Sequence, residues 1–168
     1  RIRGDELTVS ENRDLAFSSG VLHHIVDPGP TVKAMFTSLK TGWKILVWLY
    51  GREGNELYLG ITTPIRKVTT KLPHSFLVAL TWIISPFLAL YGFLAPRLNL
   101  PMGEYFKGHL NKLTWKQRAW TIYDQLNPAH AHYYSKQEAE DLLARAGFQD
   151  IQLYHRHGYS WTVVGTKP

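Results

Sequence analysis

The sequence contains no cysteine, and this absence excludes disulfide bonds and cysteine-ligated metal sites. It also fits a reducing, cytoplasmic compartment. The formal net charge is +6, but the basic residues form no long run, so nucleic acid is not an expected partner. Neither a secretory signal nor an internal repeat is visible, and 168 residues are enough for about one domain with a buried core.

Charged residues are also missing from the segment 75–96, which is strongly apolar. A helix of this length is long enough to cross a bilayer. However, Pro86 is expected to break the segment into halves of about ten residues, and a spanning helix fits poorly between two strands of one sheet. We therefore expect a helical lid over a binding site, with peripheral membrane contact and a spanning helix as alternatives.

Two strands and a helix are predicted near the start of the chain. Residues 15–17 form an apolar run typical of a buried strand. The small residues 18–20 end this run and would let a ligand approach the backbone closely. Asp27 is the predicted N-cap of a helix, Gly42 is its predicted end, and the apolar residues 44–50 predict a second strand. A strand, a helix and a strand in this order predict parallel pairing.

The last 35 residues predict a further helix and two strands. Ser135 and Glu138 have the spacing of a capping box at a helix start. Residues 148–156 and 159–167 predict two strands joined by a tight turn, and hence an antiparallel hairpin. About 80 residues separate these elements from the first two strands, which is too many for a loop in a compact domain. We expect helices there.

Residues 14–28, with the sequence DLAFSSGVLHHIVDP, resemble a motif of class I S-adenosylmethionine-dependent methyltransferases of the small-molecule branch, D-hhh-S-x-hhHH-h-x-D-P. The predicted elements follow the order of the rear half of that fold. The resemblance implies an α/β fold with a partial Rossmann-like sheet of strands 4-5-7-6, a C-terminal antiparallel hairpin and a helical insertion between strands 5 and 6. The core would comprise residues 1–55 and 131–168, and the insertion residues 56–130.

The resemblance also implies a function, which is methyl transfer from S-adenosylmethionine to a small, apolar or lipid-like acceptor. The residues that it assigns to the cofactor are Asp5, Glu6, Leu7, Ser18, Ser19, Gly20 and Val21. Around the acceptor, we expect catalytic roles for His24, His130, His132 and Tyr133, and acceptor contacts from Tyr50, Trp82 and Phe87. No metal is expected, because the pairs His130/His132 and His155/His157 have two imidazoles each but no third ligand at a suitable spacing.

Two features of the family are absent from this sequence: the Gly-rich turn after the first strand and the acidic residue that holds the ribose hydroxyls. Both would lie upstream of Arg1. We therefore expect the chain to be the rear half of the family's domain and a poor enzyme alone, with an exposed strand edge at 15–18. The alternative is a non-catalytic, membrane-associated or partner-completed interaction module, completed by an N-terminal partner segment or a second copy. A nucleic-acid methyltransferase is disfavoured by the lack of a base-binding motif.

Overall fold

The computed structural model describes residues 13–108, 110–128 and 130–168. Its strands and longer helices, in chain order, are β1 (Arg13–Ser19), α1 (Gly29–Ser38), β2 (Leu39–Tyr50), α2 (Glu56–Thr69), α3 (His74–Leu94), α4 (Gly103–Gly108), α5 (Trp115–Leu126), α6 (Lys136–Ala144), β3 (Gln149–Arg156) and β4 (Ser160–Thr166). Short 3₁₀ turns lie at Leu22–His24 and Leu110–Lys112. The chain divides into two compact units. We call residues 58–129 the helical unit, and the residues up to Leu57 and from His130 the α/β unit.

The four strands of the α/β unit form one sheet in the order β1-β2-β4-β3. β1 is parallel to β2, and β4 is antiparallel to both β2 and β3. The chain enters helices between β2 and β3 and ends in the β3–β4 hairpin. This is the predicted strand order 4-5-7-6 with a helical insertion between strands 5 and 6, so the predicted fold class is confirmed.

One face of this sheet holds the main core. Ile45, Val47 and Leu49 alternate along β2 and are fully buried, as is Val163 on β4. The helices α1 and α6 cover this face, and Leu143 of α6 packs into the same cluster. The period of two along β2 matches a strand that buries one side against helices.

The start of α6 is the predicted capping box. The Ser135 hydroxyl accepts a hydrogen bond from the Glu138 backbone N–H (3.2 Å), and the Glu138 carboxylate accepts one from the Ser135 backbone N–H (2.7 Å). Both N–H groups would otherwise lack partners at the end of the helix. The helix therefore begins where the sequence pattern places it.

Two predicted boundaries of α1 are wrong. Pro28, not Asp27, is the N-cap, and the Asp27 carboxylate instead accepts a hydrogen bond from the Gly29 N–H (3.1 Å) just before the helix. Gly42 does not end the helix, because α1 stops at Ser38 and the chain becomes extended at Leu39. Gly42 lies inside β2 with φ +81°, where the β1–β2 register shifts. A bulge of this kind requires the left-handed backbone that glycine adopts easily.

The helical unit is organised around α3 and α5. Its small core consists of Leu77, Ile122 and Leu126, with neighbouring apolar side chains packed against them. Pro86 lies within α3 without interrupting it, so the predicted break into two halves is wrong. Side chains of α3 on both sides of the proline, Leu77 before it and Leu88 after it, pack in this core, and that packing outweighs the loss of one N–H donor.

Candidate functional site

The carboxyl ends of the parallel strands β1 and β2 lie at one edge of the sheet, with Ser19 opposite Trp48 in the register. Just beyond β1, Ser19 and Gly20 are exposed and Ser18 is half-buried. Gly20 has φ +74°, and no atom lies within 4 Å of the position that a Cβ would take there. The Ser18–Gly20 step is therefore an open surface at which a ligand can contact the backbone.

Of the residues predicted to bind the cofactor, Ser18, Ser19, Gly20 and Val21 thus lie together at this edge. Asp5, Glu6 and Leu7 lie outside the residues that the structure describes. The cofactor-binding roles of all seven residues stay predictions.

The 3₁₀ turn that follows β1 gives the two adjacent histidines different exposures to solvent. His23 is fully buried, whereas His24 is exposed. The His24 Nδ1 lies 2.7 Å from the backbone oxygen of His130. A carbonyl oxygen can only accept, so Nδ1 carries the hydrogen, and in the neutral ring the lone pair is then on Nε2. Such a ring is arranged to take up a proton at Nε2.

Residues 130–134, which we call the return segment, run along the end of β2. The Tyr134 N–H donates to the backbone oxygen of Tyr50 (2.9 Å), and the His132 N–H donates to the backbone oxygen of His23 (2.9 Å). Gly51 and Tyr134 also form a parallel bridge. These bonds bring the backbone of the return segment against both the end of β2 and the 3₁₀ turn.

The predicted acceptor-side residues Tyr50, His24, His130, His132 and Tyr133 therefore lie in one cluster, although the sequence separates them by up to 109 positions. The rings of Tyr50 and Tyr133 are stacked, with their centroids 5.1 Å apart. The His24 and Tyr50 rings meet edge to face at 5.8 Å.

His23 and Trp48 belong to the same cluster, although no role is predicted for either of them from the sequence. The His23 ring stacks on Tyr50 with a centroid distance of 3.8 Å and meets Trp48 at 5.7 Å. Neither nitrogen of His23 has a hydrogen-bond partner within the described part of the chain. Burial, with a further contribution from His24, lowers the pKa of His23 to about 4. His23 is thus a neutral ring at pH 7.

Glu138 joins the start of α6, directly after the return segment, to Arg52. Partial burial raises the pKa of this carboxyl, but the Ser135 N–H and the Arg52 guanidinium outweigh that effect, and the net shift is downward. Arg52 donates two bonds to the carboxylate, at 2.9 and 3.0 Å. Next to it, burial raises the pKa of Tyr134 to about 12, so its phenol stays protonated. The sequence shows Glu138 as a helix cap but gives no sign of its pairing with Arg52.

Two further predicted residues belong to the helical unit. Trp82 and Phe87 are on α3 in the helical unit, where both are exposed, and their contact with an acceptor stays a prediction. His157 has φ +52° in the β3–β4 turn, beyond the end of β3 at Arg156, so it does not lie on the same strand as His155. Within residues 13–108, 110–128 and 130–168, no three histidine or acidic side chains are placed to hold a metal ion.

A cavity of about 460 Å³ lies between the start of α1 and the helix α6. Its charged lining side chains are Asp27, Lys33, Glu138, Asp141 and Arg145. It contains none of the residues predicted to bind cofactor or acceptor, and its charges of opposite sign nearly cancel.

No protein-family model matches the chain, and no curated protein matches its sequence. Solved structures do match. An S-adenosylmethionine-dependent methyltransferase from Methanosarcina mazei has a TM-score of 0.51 at 13% identity, over 98% of this chain and 64% of its own. A possible exported protein from Bordetella parapertussis has a TM-score of 0.50 at 16% identity, over 99% and 42%.

A third structure, a possible histamine N-methyltransferase from Thermotoga maritima, has a TM-score of 0.48 at 14% identity, over 98% of this chain and 61% of its own. The chain thus spans less than two thirds of the length of these three proteins. At such identities, the matches show the fold alone, and that fold is a methyltransferase-like Rossmann-type α/β sheet.

Proposed function

We propose that this chain, whose sheet has the methyltransferase-like arrangement, binds S-adenosylmethionine at the carboxyl edge of β1 and β2 and takes part in methyl transfer to a small, apolar or lipid-like acceptor. The observation that carries the proposal is the arrangement of that edge. The open Ser18–Gly20 step and the aromatic cluster around Tyr50 lie side by side there, built from segments that are far apart in the sequence. Ligands of open α/β sheets bind in this position.

The Ser18–Gly20 step fits the methionine and ribose portion of the cofactor. The positive φ of Gly20 and the open space around it expose backbone groups that a side chain would otherwise cover. The hydroxyls of Ser18 and Ser19 add groups that can both donate and accept hydrogen bonds. The adenine side would be held by Asp5, Glu6 and Leu7, as the resemblance implies.

Bound S-adenosylmethionine supplies an electrophilic methyl group on a positively charged sulfur. The rings of Tyr50 and Tyr133 suit such a ligand, since aromatic faces attract cations. The lowered pKa of His23 keeps its ring neutral at pH 7, so it adds no positive charge to repel the sulfonium. These residues would orient the reactants and exclude water, and both effects contribute strongly to group transfer.

Proton removal from the acceptor is the proposed role of His24. Its Nδ1–H is held by the His130 carbonyl, which leaves Nε2 as the proton acceptor on an exposed face of the cluster. His132, half-buried in the return segment, is the neighbouring imidazole. An apolar acceptor is consistent with the rings of Trp48, Tyr50 and Tyr133 around this position.

Calorimetric titration of the chain with S-adenosylhomocysteine tests the cofactor site. Gly20→Ala should weaken binding at least tenfold, because the new methyl group occupies the space into which the ligand must fit. Gly42→Ala is a matched control, since Gly42 has φ +81° and equally open surroundings but lies at the opposite end of β2. It should bear the same backbone strain and leave binding unchanged. Absence of binding by the wild type, or equal losses in both variants, would contradict the proposal.

A partner-completed, non-catalytic module is the second candidate, and the exposed side of β1 favours it. In the described part of the chain, β1 pairs only with β2 and forms an edge of the sheet. Leu15 and Phe17, on the face opposite the core, are 57% and 70% exposed. An edge with such side chains is suited to covering by further polypeptide. A chain that fails to bind S-adenosylhomocysteine but forms a stable complex through β1 would support this candidate.

A further inference from the structure

The helix α3 exposes its large apolar side chains to solvent. Six of these side chains are between 46% and 69% exposed: Phe76, Trp82, Ile83, Phe87, Leu90 and Phe93. Ile83, Phe87 and Leu90 follow one another at intervals of four and three positions, and Phe76 lies about two turns before Ile83. Trp82 and Phe93 flank this stripe, so the six residues share one broad side of the helix. We call these six residues the outer face of α3. A solvated helix normally carries polar residues there.

Three of the four buried residues of α3 are small, and the fourth is Leu77. The small ones are Thr81, Ser85 and Gly92. The hydroxyls of Thr81 and Ser85 donate to carbonyls of the same helix, each at 2.7 Å, and need no external partner. A Cβ at Gly92 would lie 2.6 Å from both Phe106 and Asn111. Small residues inside and large apolar residues outside are the distribution found in helices that face lipid.

The helical unit also holds the whole net charge of the chain. It contains eight basic residues and two acidic ones, which gives +6, whereas the remaining residues contain eleven of each sign. The basic residues are Arg66, Lys67, Lys71, Arg97, Lys107, Lys112, Lys116 and Arg118, and the acidic ones are Glu104 and Asp124. A basic unit with an exposed apolar helix is complementary to a surface that offers both negative charge and hydrocarbon.

Length and composition alone would also allow α3 to cross a membrane, and it is the one such helix among the described residues. The sheet argues against this. The insertion that contains α3 leaves from β2 and returns to β3, and both strands pair with β4. A single crossing would place β2 and β3 on opposite sides of the bilayer, which their common sheet forbids. The helix must therefore lie on one side of the bilayer.

Residues typical of a membrane interface lie on α5 and where α3 meets it. Trp82, Trp120 and Lys116 line a cavity of about 80 Å³ between α3 and α5, and Trp115 at the start of α5 is exposed. Tryptophan rings favour the level of the lipid headgroups, and lysine stems extend from apolar surroundings to charged ones.

We propose that the helical unit docks on the surface of an anionic lipid bilayer, with the outer face of α3 among the acyl chains and its basic residues at the headgroups. This docking site is independent of the proposed methyl transfer. It would place the chain at the source of apolar acceptors, but its existence can be tested without any cofactor.

The test is co-sedimentation of the full chain with phosphatidylcholine vesicles, with and without phosphatidylglycerol. We expect strong binding to the anionic vesicles and weak binding to the neutral ones. Phe87→Glu should lower the binding constant about tenfold or more, because a charge replaces a ring that the bilayer would bury. Phe17→Glu is the matched control, as an equally exposed phenylalanine of the α/β unit, and should bind as the wild type does.

The double variant Lys112→Glu/Lys116→Glu addresses the charged part of the proposal, and its expected loss is at least tenfold on anionic vesicles. Circular dichroism of each variant controls for folding. Failure of the wild type to sediment with either vesicle would overturn the proposal. So would equal binding by Phe87→Glu, or a Phe87-dependent dimer in sedimentation velocity without vesicle binding, since the outer face would then be covered by a second copy.

Discussion

The α/β unit and the helical unit distribute their apolar side chains in opposite ways. In the α/β unit, the aliphatic residues of β2, β4, α1 and α6 meet in one core. In the helical unit, the core is small and the bulkiest residues of α3 point outward. Both units nevertheless begin a helix with a complete capping box, at Thr114 and Ser135. The contrast shows that local signals specify where helices start in both units, while the apolar outer face of α3 is the surface that the proposed lipid contact would cover.

The largest expected effect is a difference in the free energy of unfolding between two leucine substitutions on helices. Leu143→Ala, in the core of the α/β unit, should lower the free energy of unfolding by about 3 kcal/mol, because it leaves a cavity. Leu90→Ala, on the outer face of α3, should change it by less than about 0.5 kcal/mol in water. Urea denaturation measures both values. A loss for Leu90→Ala near that for Leu143→Ala would mean that the outer face is buried in solution.

A smaller effect concerns pH and His23. The folded pKa of about 4 lies below the ordinary value of 6.5, so the unfolded chain binds a proton first as the pH falls. This histidine costs no stability above pH 6.5, and the native state loses about 2 kcal/mol between pH 6.5 and 4, with allowance for solvent screening. The pH dependence of urea unfolding should therefore be flatter in His23→Phe. Identical slopes in the variant and the wild type would show that His23 is not buried.

The smallest effect compares the two capping boxes. Ser135→Ala and Thr114→Ala should each cost about 1 kcal/mol of helix stability, because each removes the partner of a backbone N–H. Native-state hydrogen exchange of α6 and α5 reports the two costs separately. If Thr114→Ala leaves exchange in α5 unchanged, then α5 is already frayed in water, and the helical unit would need its proposed membrane surface in order to be stable.

The helices and strands that could be predicted came from local patterns that have only one physical interpretation. The apolar run after Asp14, the Ser135–Glu138 spacing and the paired segments at the C-terminus all led to the observed elements. The strand order came from the family resemblance instead. Gly42 and Pro86 were misread because a glycine permits a bulge as easily as a helix end, and because packing outweighs a proline's lost hydrogen bond.

Only part of the candidate site was predictable in its members, since His23 and Trp48 were missed, and its geometry was not predictable. Small residues after β1 and histidines in the return segment were visible as ligand-type residues. Which of His23 and His24 is buried could not be read from the sequence, since no periodicity extends across a three-residue turn. The pairing of Arg52 with Glu138 also depends on a contact between residues 86 positions apart.

Hydrogen–deuterium exchange of the chain with and without saturating S-adenosylhomocysteine tests the central proposal most directly. A cofactor site at the carboxyl edge of β1 and β2 predicts slower exchange at residues 18–24 and in the return segment, and no change in the β3–β4 turn. Unchanged exchange at residues 18–24, or protection confined to other parts of the chain, would contradict the assignment of this edge as the cofactor site.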